Sequence, residues 1–300
     1  MPSIATRLVK MYTRLIIKHD PKSEEHLVKH LRKTMGNPPP SPFPLSKKIR
    51  LAKFQEGSIH GDWMQIKFPK MVILYLHGGG YICGKTRTYF PLCGKLASDL
   101  TAEVYLPDYR LAPENRFPAA VEDSVKAYEL LLIRGWKPEQ ICIAGDSAGG
   151  GLTLATLLKL RDDGRPLPAC AVVYSPFADM TASAKSHASN DKTDAILSKK
   201  MLALGEEVYV GKQDPKHPYA SPIYGNFRGF PPLLVTVSEE ECLRDDAYKV
   251  IDRANEASVT VTLISRQDLM HVWPIFYPML PEARNDVNET INFIKKHIKL

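Results

Sequence analysis

The stretch GDSAGGG at 145–151 sets a serine among small residues, an arrangement that suits nucleophilic chemistry. It follows the apolar run QICIA and leads into LTLATLLKL, so the pattern reads strand, sharp turn, helix, the setting of a nucleophile elbow. Such a turn needs small residues two positions either side of the serine, because a side chain there would strike the neighbouring strand or helix. Gly145 and Gly149 meet that need. Ser147 would then stand at a helix N-terminus, where backbone N–H groups and the helix dipole favour a developing negative charge.

A second stretch, LYLHGGGY, places three glycines after an apolar run. Glycine backbone can approach a ligand closely because no side chain intervenes, which is what an oxyanion hole requires. The expected donors are the N–H groups of Gly79, Gly80 and Ala148, with Gly78 shaping the turn. Losing one such donor typically costs about 3 kcal/mol of transition-state stabilisation. A third stretch, SEEECLRDDA, follows the run LLVTV and carries Glu239, Glu240, Glu241, Asp245 and Asp246. Acidic clusters are mostly solvated, so composition alone leaves open whether one of the five does chemistry.

The elements that must hold these residues alternate along the chain. MVILYL (71–76), AEVYLPDY (102–109), QICIAG (140–145), CAVVYS (170–175), LLVTV (233–237) and SVTVTLIS (258–265) read as strands. Amphipathic stretches lie between them: Val121, Val125, Tyr128 and Leu132 share one helical face, as do Leu243, Ala247, Val250, Ile251 and Ala254. Strand and helix in alternation predict a mainly parallel central sheet flanked by helices. Ligands bind such sheets at the carboxyl ends of the strands, where all three stretches fall. The proline-rich GNPPPSPFPL (36–45) reads as an extended connector, and 178–225 as helices and loops over one end of the sheet.

Three hundred residues suffice for a large core. The net charge of +7 is spread along the chain without a dense basic block or nucleic-acid motif, so nucleic acid is not an expected partner. Five cysteines without a CxxC pair imply neither a disulfide framework nor a zinc ribbon, and a reducing cytoplasm is the expected location. His26 and His30 stand four apart as zinc ligands can, yet EHLVKH lacks the HExxH glutamate and no metal is expected there. No apolar run is long enough to span a bilayer, so stable membrane insertion is not expected. The start of the chain has a basic amphipathic pattern, with Ile4, Leu8, Met11 and Leu15 on one stripe and Arg7, Lys10, Arg14 and Lys18 off it. The expectation is a helix whose stripe packs on the protein itself, with membrane-surface contact as the alternative.

HGGGY at 77–81, DYRLAPENRFPAA at 108–120 and GDSAGG at 145–150, in that order, resemble the hormone-sensitive lipase family of α/β-hydrolases, the bacterial family IV carboxylesterases. The resemblance covers the chain from about residue 70 onward. It implies an α/β-hydrolase fold with a helical cap and an ester hydrolase that uses a catalytic triad and no cofactor. The implied division is a cap segment at 1–45, a first core part at 46–177, a cap insertion at 178–225 and a second core part at 226–300. In this fold the triad runs serine, acid, histidine along the chain. His19, His26, His30, His60 and His77 precede Ser147, His187 and His217 lie in the proposed cap, and His297 is on the terminal helix, which leaves His271 after the last strand.

The family commonly shows Asp-Pro-Leu-Arg-Asp after the strand before that histidine, with the first aspartate catalytic. Aligning this on ECLRD puts Glu241 in the acid position, with Asp245 as runner-up and the other three carboxylates solvated. Glutamate for aspartate, Cys242 for proline, and Asp268 and Leu269 where a glycine is usual are departures from the family pattern. His77 is expected to orient the glycine loop, and Asp108, Arg110 and Glu114 to form a salt-bridged scaffold beneath it. Tyr81, Phe177, Trp273 and cap residues such as Leu15 are expected around a small-molecule ester of short to medium chain length. The same fold leaves open an amidase, a lactonase or a binding protein without catalysis, and a homodimer is possible.

Overall fold

A computed structural model describes residues 2–36 and 42–298. Its eight strands are β1 (Arg50–Glu56), β2 (Ile59–Gln65), β3 (Met71–Leu76), β4 (Ala102–Pro107), β5 (Ile141–Asp146), β6 (Cys170–Tyr174), β7 (Leu233–Ser238) and β8 (Val261–Arg266). They form one sheet in the order β1-β2-β4-β3-β5-β6-β7-β8, antiparallel at β1–β2 and β2–β4 and parallel elsewhere. The mainly parallel sheet flanked by helices, expected from the strand and helix alternation, is the one observed, in keeping with the α/β-hydrolase fold that the resemblance implies.

The parallel strands bury both faces, which is why they read as continuous apolar runs. Alternate residues of β3 enter opposite cores: Val72, Leu74 and Leu76 face α4 (Ala119–Ile133), α5 (Ala148–Asp162) and α8 (Arg244–Glu256), while Met71, Ile73 and Tyr75 face α3 (Phe90–Leu100) and α9 (Pro281–His297). The six strands expected from sequence all form. The β1–β2 hairpin was not among them: RLAKFQE is an edge strand with mostly exposed residues and no apolar run, and its turn is made by Gly57 at φ 58°.

Before the sheet come α1 (Ile4–Ile16) and α2 (Glu24–Thr34), N-capped by the hydroxyls of Ser3 and Ser23. Between β6 and β7 lie α6 (Ser186–Ser189) and α7 (Lys199–Val210), with no strand in the segment. Leu27 and Leu31 of α2 and Met201 and Leu202 of α7 are buried together above the sheet's carboxyl end. Half of the proline-rich connector, 37–41, lies outside the described residues.

The expected packing of α1 is reversed. Ile4, Leu8, Met11 and Leu15 are 57–77% exposed, and the helix meets the protein through Ala5, Thr6, Val9, Thr13 and Ile17. Thr6 and Ser3 fix this orientation by donating their hydroxyls to Glu282 on α9 at 2.8 and 3.0 Å. Among the described residues no helix is long and apolar enough to cross a membrane.

Candidate active site

Strand β5 ends at Asp146 and α5 begins at Ala148, leaving Ser147 as the whole connection. Its backbone sits at φ 53°, ψ −121°, a strained conformation that the flanking packing must hold. A Cβ at Gly145 would collide with the Gly149 carbonyl, and one at Gly149 with the Leu76 carbonyl. The small residues are thus required by the crossing of β3, β5 and α5, as the spacing predicted.

His271 and Glu241 come from the loops after β8 and β7. His271 Nε2 lies 2.9 Å from Ser147 Oγ, and its Nδ1–H donates to Glu241 Oε2 at 2.7 Å. The second carboxylate oxygen, Oε1, accepts the Ser238 N–H at 3.0 Å. Ser238 also donates its hydroxyl to the Leu269 carbonyl at 2.7 Å, so the last residue of β7 ties both loops together. Where the family's glycine is missing, Asp268 itself adopts φ 62°, a left-handed conformation that a short polar side chain tolerates. Cys242, in place of proline, keeps an N–H that donates to Asp194 at 2.7 Å and anchors the acid loop to the segment before α7.

The electrostatics follow from burial and pairing. Burial pushes the His271 pKa down, but hydrogen bonding to Glu241 and its charge outweigh this, and the net shift is upward. Burial raises Glu241, and the histidine opposes that rise. His77, fully buried, is pushed down to about 3 by burial and stays neutral; its Nδ1–H donates to the Gly78 carbonyl at 2.8 Å, the loop-orienting contact expected from sequence.

Gly79 and Gly80 have φ of 109° and 65° and line a cavity of about 100 Å³ together with Ser147, His271, Phe177 and Leu202. Ala148 is the first residue of α5, so its N–H has no intrahelical acceptor. A second cavity of about 340 Å³ shares Gly79, Ile17, Met35, Tyr89, Ile275 and Phe276 with the first and opens outward past α1.

Asp146, which no sequence motif marks as functional, is central to the loop. Gly78 N–H donates to its carboxylate at 3.1 Å, and the phenols of Tyr75 and Tyr89 at 3.2 Å each. Burial lifts its pKa to about 6 against these donors and His271. A carboxylate at the end of a wholly apolar strand was the available signal, since such a group must find partners.

Several expectations are corrected. Tyr81 lines neither cavity: it is buried, its ring stacked on Tyr209 at 3.7 Å, and its neighbour Ile82 lines the site instead. Trp273 points away into the core, where its indole N–H donates to Asp286 at 2.8 Å. Leu15 faces outward, and Ile17 lines both cavities. Asp245 accepts from the Ser186 N–H and pairs with Arg244, whereas Asp246 is fully buried against His187 at 2.9 Å and the N–H groups of Ala178 and Asp179. Glu239 and Glu240 are half-buried, bonded to Tyr248 and Lys10, so the cluster is more engaged than a solvated loop. Asp108, Arg110 and Glu114 are each ion-paired, but with Lys85, Asp123 and Arg32 and not with one another. His26 and His30 pack their rings on His19.

A family model described as the alpha/beta hydrolase fold matches residues 73–275. An acetyl-hydrolase of Streptomyces hygroscopicus is 42% identical over 240 residues, 80% of each chain, and an esterase of Acinetobacter venetianus is 30% identical over 84% of each. Among solved structures, an esterase from the bacterial hormone-sensitive lipase family superposes with a TM-score of 0.90 at 36% identity, covering 100% of both chains. With the elbow, the glycine loop and these likenesses together, the chain belongs to the hormone-sensitive lipase family of α/β-hydrolases.

Proposed function

We propose that this protein is a serine carboxylesterase that hydrolyses short- to medium-chain carboxylic esters through an acyl-enzyme. The observation that carries this reading is the unbroken hydrogen-bonded line Glu241, His271, Ser147 ending at the floor of an apolar cavity. Ser147 Oγ attacks the ester carbonyl carbon while its proton passes to His271 Nε2, and Glu241 stabilises the imidazolium and holds the tautomer. The N–H groups of Gly79, Gly80 and Ala148 receive the oxyanion. As the tetrahedral intermediate collapses, the alcohol leaves with the histidine's proton. A water molecule then gives its proton to His271 and attacks the acyl carbonyl, and collapse returns a proton to Ser147 Oγ and frees the acid.

The helices of 1–45 and 178–225 act in this reading as a cap, since Leu27, Leu31, Met201 and Leu202 roof the nucleophile. The inner cavity is small and the outer one larger, which favours a short acyl group within and a bulkier alcohol outside. The similar Streptomyces protein bears the name acetyl-hydrolase, in keeping with a short acyl group. The reading requires no cofactor or metal, and its partner is the small-molecule ester. All five cysteines are unpaired, which suits the reducing cytoplasm. A fluorophosphonate probe should label Ser147 covalently, and p-nitrophenyl esters from two to sixteen acyl carbons should give highest kcat/KM at the short end. Ligand binding without labelling would sink the esterase reading, and a maximum beyond about twelve carbons would sink the cap-limited pocket.

A further inference from the structure

Helix α1 wears its apolar face outward. Ile4, Leu8, Met11, Tyr12, Leu15 and Ile16 are 43–77% exposed and form one continuous strip, because successive residues three and four apart stack along a helix. The face turned to the protein is the poorer one, with Thr6 and Thr13 fully buried. A soluble surface seldom leaves so many large apolar side chains together unless something covers them.

We propose that this strip docks the protein on an anionic lipid–water interface, with the outer cavity opening onto the film. Charge argues for the occupant. From Ser3 to Lys18 the sequence carries Arg7, Lys10, Arg14 and Lys18 and no carboxylate. Arg7 and Arg14 are exposed beside the strip; Arg14 and Lys18 donate to backbone carbonyls of 191–194, contacts that leave their positive charge in place, and Lys10 pairs with Glu240. A second copy of this chain would be a poor cover, since a two-fold contact sets a patch against itself and would face these cations with their own kind. Phosphate headgroups complement them, and an amphipathic helix of this charge pattern lies in an interface with its apolar side among the acyl chains. Location argues the same way. Tyr12 and Ile16 belong both to the strip and to the lining of the outer cavity, which reaches Gly79 beside the nucleophile. Met279, 43% exposed, stands at the same mouth. An apolar ester dissolved in the film could enter without crossing water. Docking is peripheral, because no helix among the described residues spans a bilayer.

The full-length protein is sedimented with phosphatidylglycerol vesicles and with phosphatidylcholine vesicles at low ionic strength, a readout independent of turnover. Binding is expected to the first and to fall at least about tenfold in Leu8→Ser/Leu15→Ser and in about 0.5 M salt. Neither leucine lines the inner or the outer cavity, so the double variant keeps its rate on a soluble p-nitrophenyl acetate substrate, which also shows that it folds. Absence of sedimentation with phosphatidylglycerol overturns the proposal, as does equal binding to both lipids or binding that ignores the double substitution. A wild-type dimer in analytical ultracentrifugation that the double substitution makes monomeric, without vesicle binding, also overturns it and gives the strip to a second copy.

Discussion

Glu241 and His271 meet at 2.7 Å with both side chains essentially excluded from water, whereas Asp245, four residues on, spends its carboxylate on the Ser186 N–H and Arg244. The two acids therefore separate by mutation. Glu241→Gln removes the charge that holds the imidazole and should lower kcat by about 10³ to 10⁴, while Asp245→Asn should stay within about tenfold of wild type. Steady-state kinetics on a p-nitrophenyl ester decide it, and a dead Asp245→Asn beside an active Glu241→Gln would discard the triad.

Ser147→Ala removes the only atom of the elbow that can become acylated. Turnover should drop by about 10⁵ to 10⁶ while the backbone and the donors of the glycine loop persist. Loss of fluorophosphonate labelling with an unchanged circular dichroism spectrum checks both halves of that statement.

The pH profile follows from the upward shift of His271. Catalysis needs the neutral imidazole, so kcat/KM should rise with pH through the histidine's folded pKa, and the midpoint of that acid limb should lie above the ordinary value of about 6.5. In Glu241→Gln the strongest raising partner is gone and burial is opposed only by the charges of Asp194 and Asp146, so the limb of the residual activity should move to lower pH.

His77 has the opposite sign. Its folded pKa of about 3 lies below its unfolded value of 6.5, so the unfolded chain takes up the proton first on acidification. Stability from this residue is complete above about pH 6.5 and is lost as pH falls toward 3, at up to about 1.4 kcal/mol per pH unit. Urea midpoints at pH 7 and pH 5 should therefore differ less in His77→Gln than in wild type.

Gly149→Ala sets two effects against each other. Helix propensity would favour alanine by about 1 kcal/mol, yet the added Cβ collides with the carbonyls of Leu76 and His77, rigid backbone of β3 and its loop. Overpacking of that kind costs about 1 to 3 kcal/mol, so the variant should be destabilised, and the displaced loop should cost activity as well. A raised urea midpoint would show that the crossing is looser than its geometry.

The sequence by itself determined the parallel sheet, the elbow and the placement of nucleophile and glycine loop, because these depend on local properties: buried strands read as apolar runs, and a tight turn excludes Cβ atoms at fixed spacing. Chain order singles out His271, and only the family pattern singles out Glu241, since nothing local separates it from four neighbouring carboxylates. What decided among them is that Ser238 gathers the β7 and β8 loops, a contact between residues 31 apart in the chain. The third dimension also turned Tyr81 and Trp273 into core residues by giving them Tyr209 and Asp286 as partners, and it made Asp146 the anchor of the glycine loop. The orientation of α1 was likewise beyond the sequence. Periodicity identifies an apolar stripe, but the side facing the protein was chosen by hydrogen bonds from Ser3 and Thr6 to Glu282, a residue 276 positions away from Thr6.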